Sequence, residues 1–188
     1  LHARLPRGRR RAPGDRDVHR AAAPDGDRGA AHQPHQRLGR RRAPKQNGEY
    51  GESNVRKVEI ETGKVLQKQD LAEEYFGEGL TILNDKIYQI TWREKTAFQY
   101  DLNLKLIKEF RYQGDGWGLT HDGTNLWLSQ GTHVLKVIDP NTFNTVKTLP
   151  VMREDGRPLM NINELEWVKG EIWANVWHSE RPNILGKP

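Results

Sequence analysis

The sequence predicts an all-β protein with the architecture of a β-propeller, and three observations support this prediction. Apolar and polar residues alternate with a period of two in short runs such as 87–92 and 172–177, as they do in half-buried β-strands. Turn signals separate these runs, and helical periodicity is weak throughout residues 50–188. A unit of about four short strands also recurs along the chain at the spacing that is typical of propeller blades.

The individual strands are predicted, in chain order, from the turns beside them. Each of the clearest runs adjoins a turn rich in Gly, Asn or Asp, and these runs are Val55–Ile60, Lys86–Trp92, Asn125–Ser129 and Glu171–Trp177. The segment 152–160 has a charged, Gly- and Pro-containing composition that indicates a surface loop. The chain from residue 50 onward is therefore predicted to be a series of short β-strands.

The repeat is clearest in Gly79-Leu80-Thr81, which recurs 39 residues later as Gly118-Leu119-Thr120. Leu80 recurs again as Leu165, and the predicted loop at 152–160 accounts for the longer second step. An unrelated meander or sandwich is the alternative, but it is less favoured because the repeat keeps its turn and the following strand in register. We interpret residues 46–188 as about three to four blades. Because a propeller closes to satisfy its edge strands, we expect this chain to be incomplete at both ends.

Residues 1–45 form a separate segment with a different composition. They contain twelve Arg, one Lys and four Asp, a net charge of +9, and they have no Phe, Trp, Tyr or Ile. Such a segment buries too little apolar surface to offset the entropy of ordering, so we predict that it is disordered. Its Arg-, Ala-, Pro- and Gly-rich mixture also resembles GC-rich DNA that has been translated in the wrong frame.

Composition also argues against several classes of function. The Arg clusters of the segment 1–45 lack interleaved aromatic residues for base stacking, so we do not expect a nucleic-acid partner. No apolar run approaches the ~18 residues of a membrane span. The chain has no cysteine, which excludes disulfides and thiolate metal sites, and its histidines show no ligand spacing. We expect a protein without a metal site.

The repeat also predicts where a site would lie. Equivalent positions in successive blades form a ring around the propeller axis, and one ring holds Glu78, Trp117 and Asn163, each at the position before the repeated glycine or its equivalent. A second ring holds Trp92 and Trp177, each at the end of the strand that follows a turn. A carboxylate, an amide and several indoles at one mouth are the composition of a pocket for a small polar ligand.

Each of these residues also has a purely structural interpretation. Glu78 lies between two glycines and suits a solvated turn, and Asn163 suits a turn cap. Tryptophans usually pack within propeller cores, so Trp127, Trp167 and Trp173 are left out of the predicted site. What favours a site is that the ring positions change in chemistry from blade to blade while the surrounding scaffold repeats.

Five segments of the sequence resemble motifs of the plant- and bacterial-type glutaminyl cyclases. In chain order these segments are Phe76-Gly77-Glu78-Gly79-Leu80-Thr81, Thr91-Trp92-Arg93-Glu94-Lys95, Gly114-Asp115-Gly116-Trp117-Gly118-Leu119-Thr120, Asn163-Glu164-Leu165-Glu166-Trp167 and Gly170-Glu171-Ile172-Trp173-Ala174-Asn175-Val176-Trp177. The resemblance runs from about residue 49 to residue 177. It implies a five-bladed propeller that is distinct from the zinc-dependent animal-type cyclases.

The resemblance also implies an activity and a role for each predicted residue. The family cyclises N-terminal glutaminyl residues of peptides and proteins to pyroglutamate and releases ammonia. Glu78 would be the catalytic carboxylate, and Asn163 would hydrogen-bond the substrate. The residues that line the substrate pocket would be Phe76, Trp92, Trp117 and Trp177. No metal or organic cofactor is implied, and the family's habit suggests a monomeric, secreted or periplasmic protein.

Two parts of the family's pattern have no counterpart in this sequence. One is a first-blade Phe-Thr-Gln-Gly-Leu stretch with a pocket glutamine, and the other is a late pocket lysine. We therefore expect the chain by itself to turn over poorly. A non-catalytic propeller that binds peptides or proteins is the alternative function. A metal-dependent lactonase is less favoured, because only Glu78 and Asn163 on the ring offer oxygen ligands.

Overall fold

A computed structural model of the protein describes residues 3–4, 42–179 and 183–186, and every regular element in these ranges is a β-strand. In chain order the strands are β1 (Ala3–Arg4), β2 (Arg42–Asn47), β3 (Asn54–Glu59), β4 (Val65–Asp70), β5 (Gly77–Leu83), β6 (Lys86–Thr91), β7 (Thr96–Asp101), β8 (Leu106–Arg111), β9 (Leu119–His121), β10 (Leu126–Leu128), β11 (Val134–Ile138), β12 (Thr145–Pro150), β13 (Met152–Arg153), β14 (Ile162–Val168), β15 (Glu171–Val176) and β16 (Asn183–Gly186).

The strands form four antiparallel sheets in which sequential strands are neighbours. The first sheet is β2-β3-β4, the second β5-β6-β7-β8, the third β9-β10-β11-β12 and the fourth β14-β15-β16. A small two-stranded sheet pairs β1 with β13. Tight turns join the strands, and one of them places Asn84 and Asp85 at positive φ (52° and 58°). Asn and Asp tolerate this left-handed conformation better than most residues do, which explains why they stand between β5 and β6.

Successive sheets pack face to face, and an apolar cluster fills each interface. Val55 of the first sheet packs with Ile87, Phe98 and Tyr100 of the second. The interface between the second and third sheets contains Tyr88, Ile90, Ala97, Phe110, Leu119, Leu126, Leu128, Ile138 and Phe143. The interface between the third and fourth contains Trp127, Leu135, Val137, Ile162, Leu165, Ile172 and Ala174. Burial of these apolar side chains is the main favourable term that holds the sheets together.

In the first three sheets, the outer strand is much less buried than the middle strands. The first strands β2, β5, β9 and β14 contact one another in sequence order, so they form the inner edge of the assembly. The middle strands β6 and β7 are buried almost throughout, whereas β4, β8 and β12 are mostly exposed. Four stacked sheets whose first strands line an inner edge are blades of a β-propeller.

The predicted fold class is therefore confirmed, and the four clearest predicted strands agree with the structure to within one residue at each end. The predicted loop 152–160 is exposed over 154–158, but it also contains β13 and the buried Leu159. The predicted segment 1–45 lies mostly outside the described residues. Within it, 42–45 belong to β2 and pair with β3, so this strand begins four residues before the predicted start of the propeller at residue 46.

Candidate functional site

Three β-bulges position the predicted ring residues. In the second sheet, Glu78 and Gly79 lie opposite the single residue Ile90, because the register of β5 and β6 shifts between Gly77 and Leu80. The same shift occurs in the fourth sheet, where Asn163 and Glu164 lie opposite Asn175. Bulges re-aim side chains and are common beside active sites. The fold thus presents Glu78 and Asn163 through the same backbone device in two different blades.

The third sheet carries the same arrangement at Trp117 and Gly118, just before β9. Ser129 lies opposite this pair: its N–H donates to the Gly118 carbonyl over 3.0 Å, and its carbonyl accepts from the Trp117 N–H over 3.1 Å. The Gly118 N–H donates to the Ser129 side-chain oxygen over 2.8 Å, as the Glu164 N–H does to Asn175 Oδ1. Side chains opposite the bulge therefore satisfy the backbone donor that the bulge leaves unpaired.

Two glycines allow the three bulges to lie close together. A Cβ atom on Gly79 would lie 2.7 Å from the carbonyl carbon of Gly118, and a Cβ atom on Gly118 would lie 2.7 Å from Cα of Glu164. Both distances are shorter than real Cβ contacts, so these positions require glycine. The Gly79 N–H also donates to the Trp117 carbonyl over 3.1 Å. The three ring residues Glu78, Trp117 and Asn163 thus lie on inner strands in direct backbone contact; we call this region the mouth.

Glu78 is half-buried at the mouth, and burial removes water from its carboxyl group. Desolvation, together with repulsion from the carboxylate of Glu164, raises the pKa of Glu78 to about 8. No hydrogen bond from the described residues to this carboxylate offsets that rise. A carboxyl group with such a pKa exchanges its proton near neutral pH, which suits an acid–base role.

Glu164 is a second acidic group near the mouth, and the sequence analysis did not select it. Its residue surface is exposed, but the surrounding protein still desolvates the carboxyl group, and desolvation together with repulsion from Glu166 raises the pKa of Glu164 to about 7. Glu164 occupies the repeat position that Gly79 and Gly118 occupy in the other blades. That departure from a repeated glycine was the signal in the sequence.

Phe76 and Trp92 form an aromatic wall at the end of β5 and β6 where Glu78 lies. Their ring centroids lie 5.6 Å apart in an edge-on arrangement, and the Trp92 N–H donates to the Phe76 carbonyl over 2.9 Å. Tyr50, from the loop after β2, packs edge-on against Phe76 at 5.2 Å. The Arg93 guanidinium lies 3.8 Å from the centroid of the Trp92 ring. One face of Trp92 is therefore covered by a cation, and its edge is fixed by Phe76.

Glu94 connects this wall to the first sheet. One carboxylate oxygen accepts a hydrogen bond from the Tyr50 hydroxyl over 2.8 Å, and the other accepts from the Phe76 N–H over 3.2 Å. Neither Glu94 nor Tyr50 was among the site residues predicted from the sequence. A hydrogen bond between residues 44 positions apart leaves no pattern in a single sequence, so only the fold reveals this contact.

The remaining predicted residues differ in how closely the structure joins them to the mouth. The Trp117 ring packs against Gly131, and the main chain of Asn163 accepts a hydrogen bond from the Ser129 hydroxyl over 2.6 Å. The Trp177 side chain is 52% exposed and contacts the His178 ring. Trp177 is tied to the mouth region through its N–H, which donates to the Asn161 carbonyl over 2.9 Å.

Other features lie away from this region. One groove of about 490 Å³ lies on the first sheet beside Asn54 and Arg56, and another of about 340 Å³ lies between turns of the second and third sheets beside Lys86 and Asn125. Neither is lined by a predicted site residue.

The described ranges contain no cluster of three or more His, Asp or Glu side chains that could hold a metal ion. They also contain no helix with the length and apolar character needed to cross a membrane.

The fold and the mouth together define a class: a β-propeller that carries a desolvated carboxyl group and aromatic residues on neighbouring inner strands and the turns beside them. A family model described as glutamine cyclotransferase matches residues 44–185. The glutaminyl-peptide cyclotransferase of Arabidopsis thaliana is 45% identical to the chain over 135 residues, which are 71% of this chain and 42% of that protein. The chain belongs to the glutamine cyclotransferase family.

A solved structure agrees with this assignment. The crystal structure of the glutaminyl cyclase of Myxococcus xanthus matches with a TM-score of 0.67 at 28% identity, over 75% of this chain and 64% of that one. The present chain thus spans about two fifths of the plant relative and just under two thirds of the bacterial one.

Proposed function

We propose that this chain carries the pyroglutamate-forming site of a glutaminyl-peptide cyclotransferase, with Glu78 as the proton-transfer group. The observation that carries the proposal is the state of Glu78: it is half-buried, free of hydrogen-bond donors among the described residues, and has a pKa raised to about 8. A general acid–base group works best when its pKa lies near the working pH. Membership of the family supplies the substrate class, an N-terminal glutamine in a peptide.

The reaction needs one proton to change position. The neutral α-amine attacks the γ-carboxamide carbon, so a C–N bond forms and the carbonyl electrons move onto oxygen. Ionised Glu78 accepts a proton from the attacking nitrogen and then donates it to the departing amide nitrogen. The C–NH₂ bond breaks, the carbonyl re-forms and ammonia leaves. Atoms and charge balance without a co-reactant, because nucleophile and leaving group belong to the same residue.

The aromatic side chains and Asn163 serve the geometry of this step. Phe76, Trp92 and Trp117 hold the methylene groups of the substrate in a folded conformation that brings the amine to the amide carbon. Asn163, presented by the same kind of bulge as Glu78, donates from its side-chain amide to the carboxamide oxygen on which negative charge develops. Trp177, which is the most exposed of the four aromatic residues, lies at the outer side and contacts the peptide beyond its first residue.

The test is ammonia release from a Gln-initiated peptide by the purified chain, measured beside Glu78→Gln and with a chelator present. Release that persists with chelator and is lost in Glu78→Gln supports the proposal. Equal release by both proteins would overturn the role of Glu78. Peptide binding without release would favour the binding-platform alternative if a version with both ends restored also failed to release ammonia, because the chain alone is expected to turn over poorly. Chelator-sensitive hydrolysis of a lactone would favour a metal-dependent enzyme.

A further inference from the structure

The third sheet supplies its indole to the mouth from a different strand than its neighbours do. In the second and fourth sheets the indoles Trp92 and Trp177 follow the second strand of the sheet. At the equivalent place in the third sheet stands Gly131, 39 residues after Trp92 and 46 before Trp177. The indole that this sheet brings to the mouth is Trp117, which comes from the bulge just before its inner strand. Position 131 therefore has no side chain where the neighbouring sheets have an indole, and position 117 has an indole where they have Glu78 and Asn163.

These two changes are complementary in space. A Cβ atom built on Gly131 would lie 2.6, 2.7 and 2.8 Å from Cζ2, Cε2 and Cη2 of Trp117. All three atoms belong to a rigid ring, so the ring would have to move as a whole to admit a methyl group. The indole Nε1 of Trp117 is buried and has no hydrogen-bond partner among the described residues. The ring is therefore oriented by packing, and Gly131 supplies that packing surface.

The backbone holds Gly131 in place independently of Trp117. Its carbonyl accepts from the Asn161 N–H over 2.9 Å, and the Asn161 carbonyl accepts from the Trp177 N–H over the same distance. Gly131 has a φ of +69°, a conformation that glycine adopts without strain. The surface that receives the indole is thus fixed by the fourth sheet, while the indole itself comes from the third.

We propose that Gly131 is a positioning residue of the mouth: the absence of its side chain sets the orientation of the Trp117 indole as a substrate wall. That Gly131 orients the Trp117 indole is inferred from geometry alone. That this indole contacts the substrate rests on the proposed function. A residue with any side chain at position 131 would tilt the indole away from its present plane. The loss would fall on substrate binding more than on proton transfer, because Glu78 lies on another sheet.

The first experiment follows the indole directly. The six tryptophans give six indole N–H signals in a spectrum of the ¹⁵N-labelled 188-residue chain, and Trp117→Phe identifies the one that matters. Gly131→Ala should move this signal. The matched control is Gly63→Ala, at a φ of +72° with no atom within 4 Å of the added carbon; it carries the same backbone strain and should leave the signal in place. An unmoved Trp117 signal in Gly131→Ala overturns the proposal.

The second experiment measures the affinity for a pyroglutamyl dipeptide, the product, so that no turnover is needed. Gly131→Ala should weaken binding about tenfold, as expected when an aromatic contact is misplaced, and Gly63→Ala should not. In a Trp117→Ala background Gly131→Ala should add nothing, and an undiminished effect there overturns the proposal. If the unsubstituted chain fails to bind product, the proposed function fails, and the indole signal alone decides the role of Gly131.

A folding defect would be informative as well. If Gly131→Ala prevents folding, the cause should be the contact with the indole, and Trp117→Ala should restore the folded state. Failure of this rescue would show that strain at Gly131, and not its contact with Trp117, is what matters.

Discussion

Glu78 and Asp122 lie at opposite ends of inner strands in neighbouring blades, and their carboxyl groups titrate in opposite directions. Both residues are half-buried. Desolvation dominates at Glu78 and raises its pKa to about 8. Desolvation acts on Asp122 too, but hydrogen bonds from the Asn125 and Thr124 N–H groups and from Trp127 Nε1 outweigh it, so the pKa of Asp122 is lowered.

The difference shows that burial alone does not decide what a carboxyl group does. At the turn end, three donors between 2.8 and 2.9 Å hold the charged form and tie the turn to the strand. At the mouth, no donor from the described part of the chain reaches the Glu78 carboxylate, and without a donor the charged form is costly. The Asp122 carboxylate thus stabilises the turn. The Glu78 carboxyl group has no such hydrogen bonds within the described ranges, as the proposed proton transfer requires.

The largest effect is expected from Glu78→Gln, which tests the proposed proton-transfer role of Glu78. Glutamine keeps the size of the side chain but cannot carry the proton, so turnover should fall by roughly 10²–10⁴-fold, the usual contribution of a positioned acid–base group. Steady-state ammonia release measures this loss, best in a version of the chain with both ends restored because the chain alone is expected to turn over poorly. The unfolding midpoint at pH 5 should stay within about 1 °C, a shift worth well under 1 kcal/mol. Retained turnover with an unchanged pH profile would mean that Glu78 is a turn residue after all.

The counterpart is Asp122→Ala, which should reduce stability instead of activity. It leaves the N–H groups of Thr124, Asn125 and the Trp127 indole without their acceptor, and we expect a loss of about 1–3 kcal/mol in the free energy of unfolding. Urea denaturation measures the loss. Asp155→Ala, which removes an exposed contact with Arg157, is the surface control and should leave the midpoint unchanged. An equal loss in both variants would remove the distinction drawn for Asp122.

The pH dependence of stability sharpens the contrast further. Because the folded-state pKa of Glu78 lies above its ordinary value of 4.5, its contribution is fully present below pH 4.5 and is lost as the pH rises through about 8. Asp122 behaves in the opposite way, since its lowered pKa gives stability above its ordinary 3.8 that is lost on acidification. Denaturation at a series of pH values should therefore show that the free energy of unfolding of Glu78→Gln rises relative to that of the parent chain as the pH approaches 9.

The smallest expected effect concerns Glu164. Its negative charge raises the pKa of Glu78, so Glu164→Gln should move the activity profile of Glu78 toward lower pH. The control is Glu166→Gln, because Glu166 is exposed and acts on Glu164 and not directly on Glu78. A shift in the control but not in Glu164→Gln would show that the two carboxylates at the mouth are not coupled as described.

Local patterns were sufficient to predict the fold and the positions of the ring residues. Period-two runs and the repeated Gly-Leu-Thr indicate a blade, because its strands and turns all lie within about 40 residues. The bulges that aim Glu78 and Asn163 were not predicted, since a bulge depends on the register between two strands. The contact of Tyr50 with Glu94 was missed because it joins two blades whose relative placement no local period fixes. The repeat aligns Gly131 with Trp92 and Trp177, but it does not show that the Trp117 ring packs against that position.

Glu164 marks the limit of reasoning from repeats. Glu164 stands at the position of the repeated glycine, next to the ring residue Asn163, and a repeated glycine indicates scaffold and not a site. The effect of Glu164 on the pKa of Glu78 depends on distances across β9, which a sequence does not contain.

The close approach at Gly79 and Gly118 also governs the curvature of the molecule. These glycines lie at the inner radius, where adjacent blades are nearest, and their size sets the angle through which each blade is rotated from the last. A larger side chain at either position would act as a wedge at the hub and would flatten that angle. Glycine at these two positions therefore sets how closely the second, third and fourth sheets approach one another at the hub.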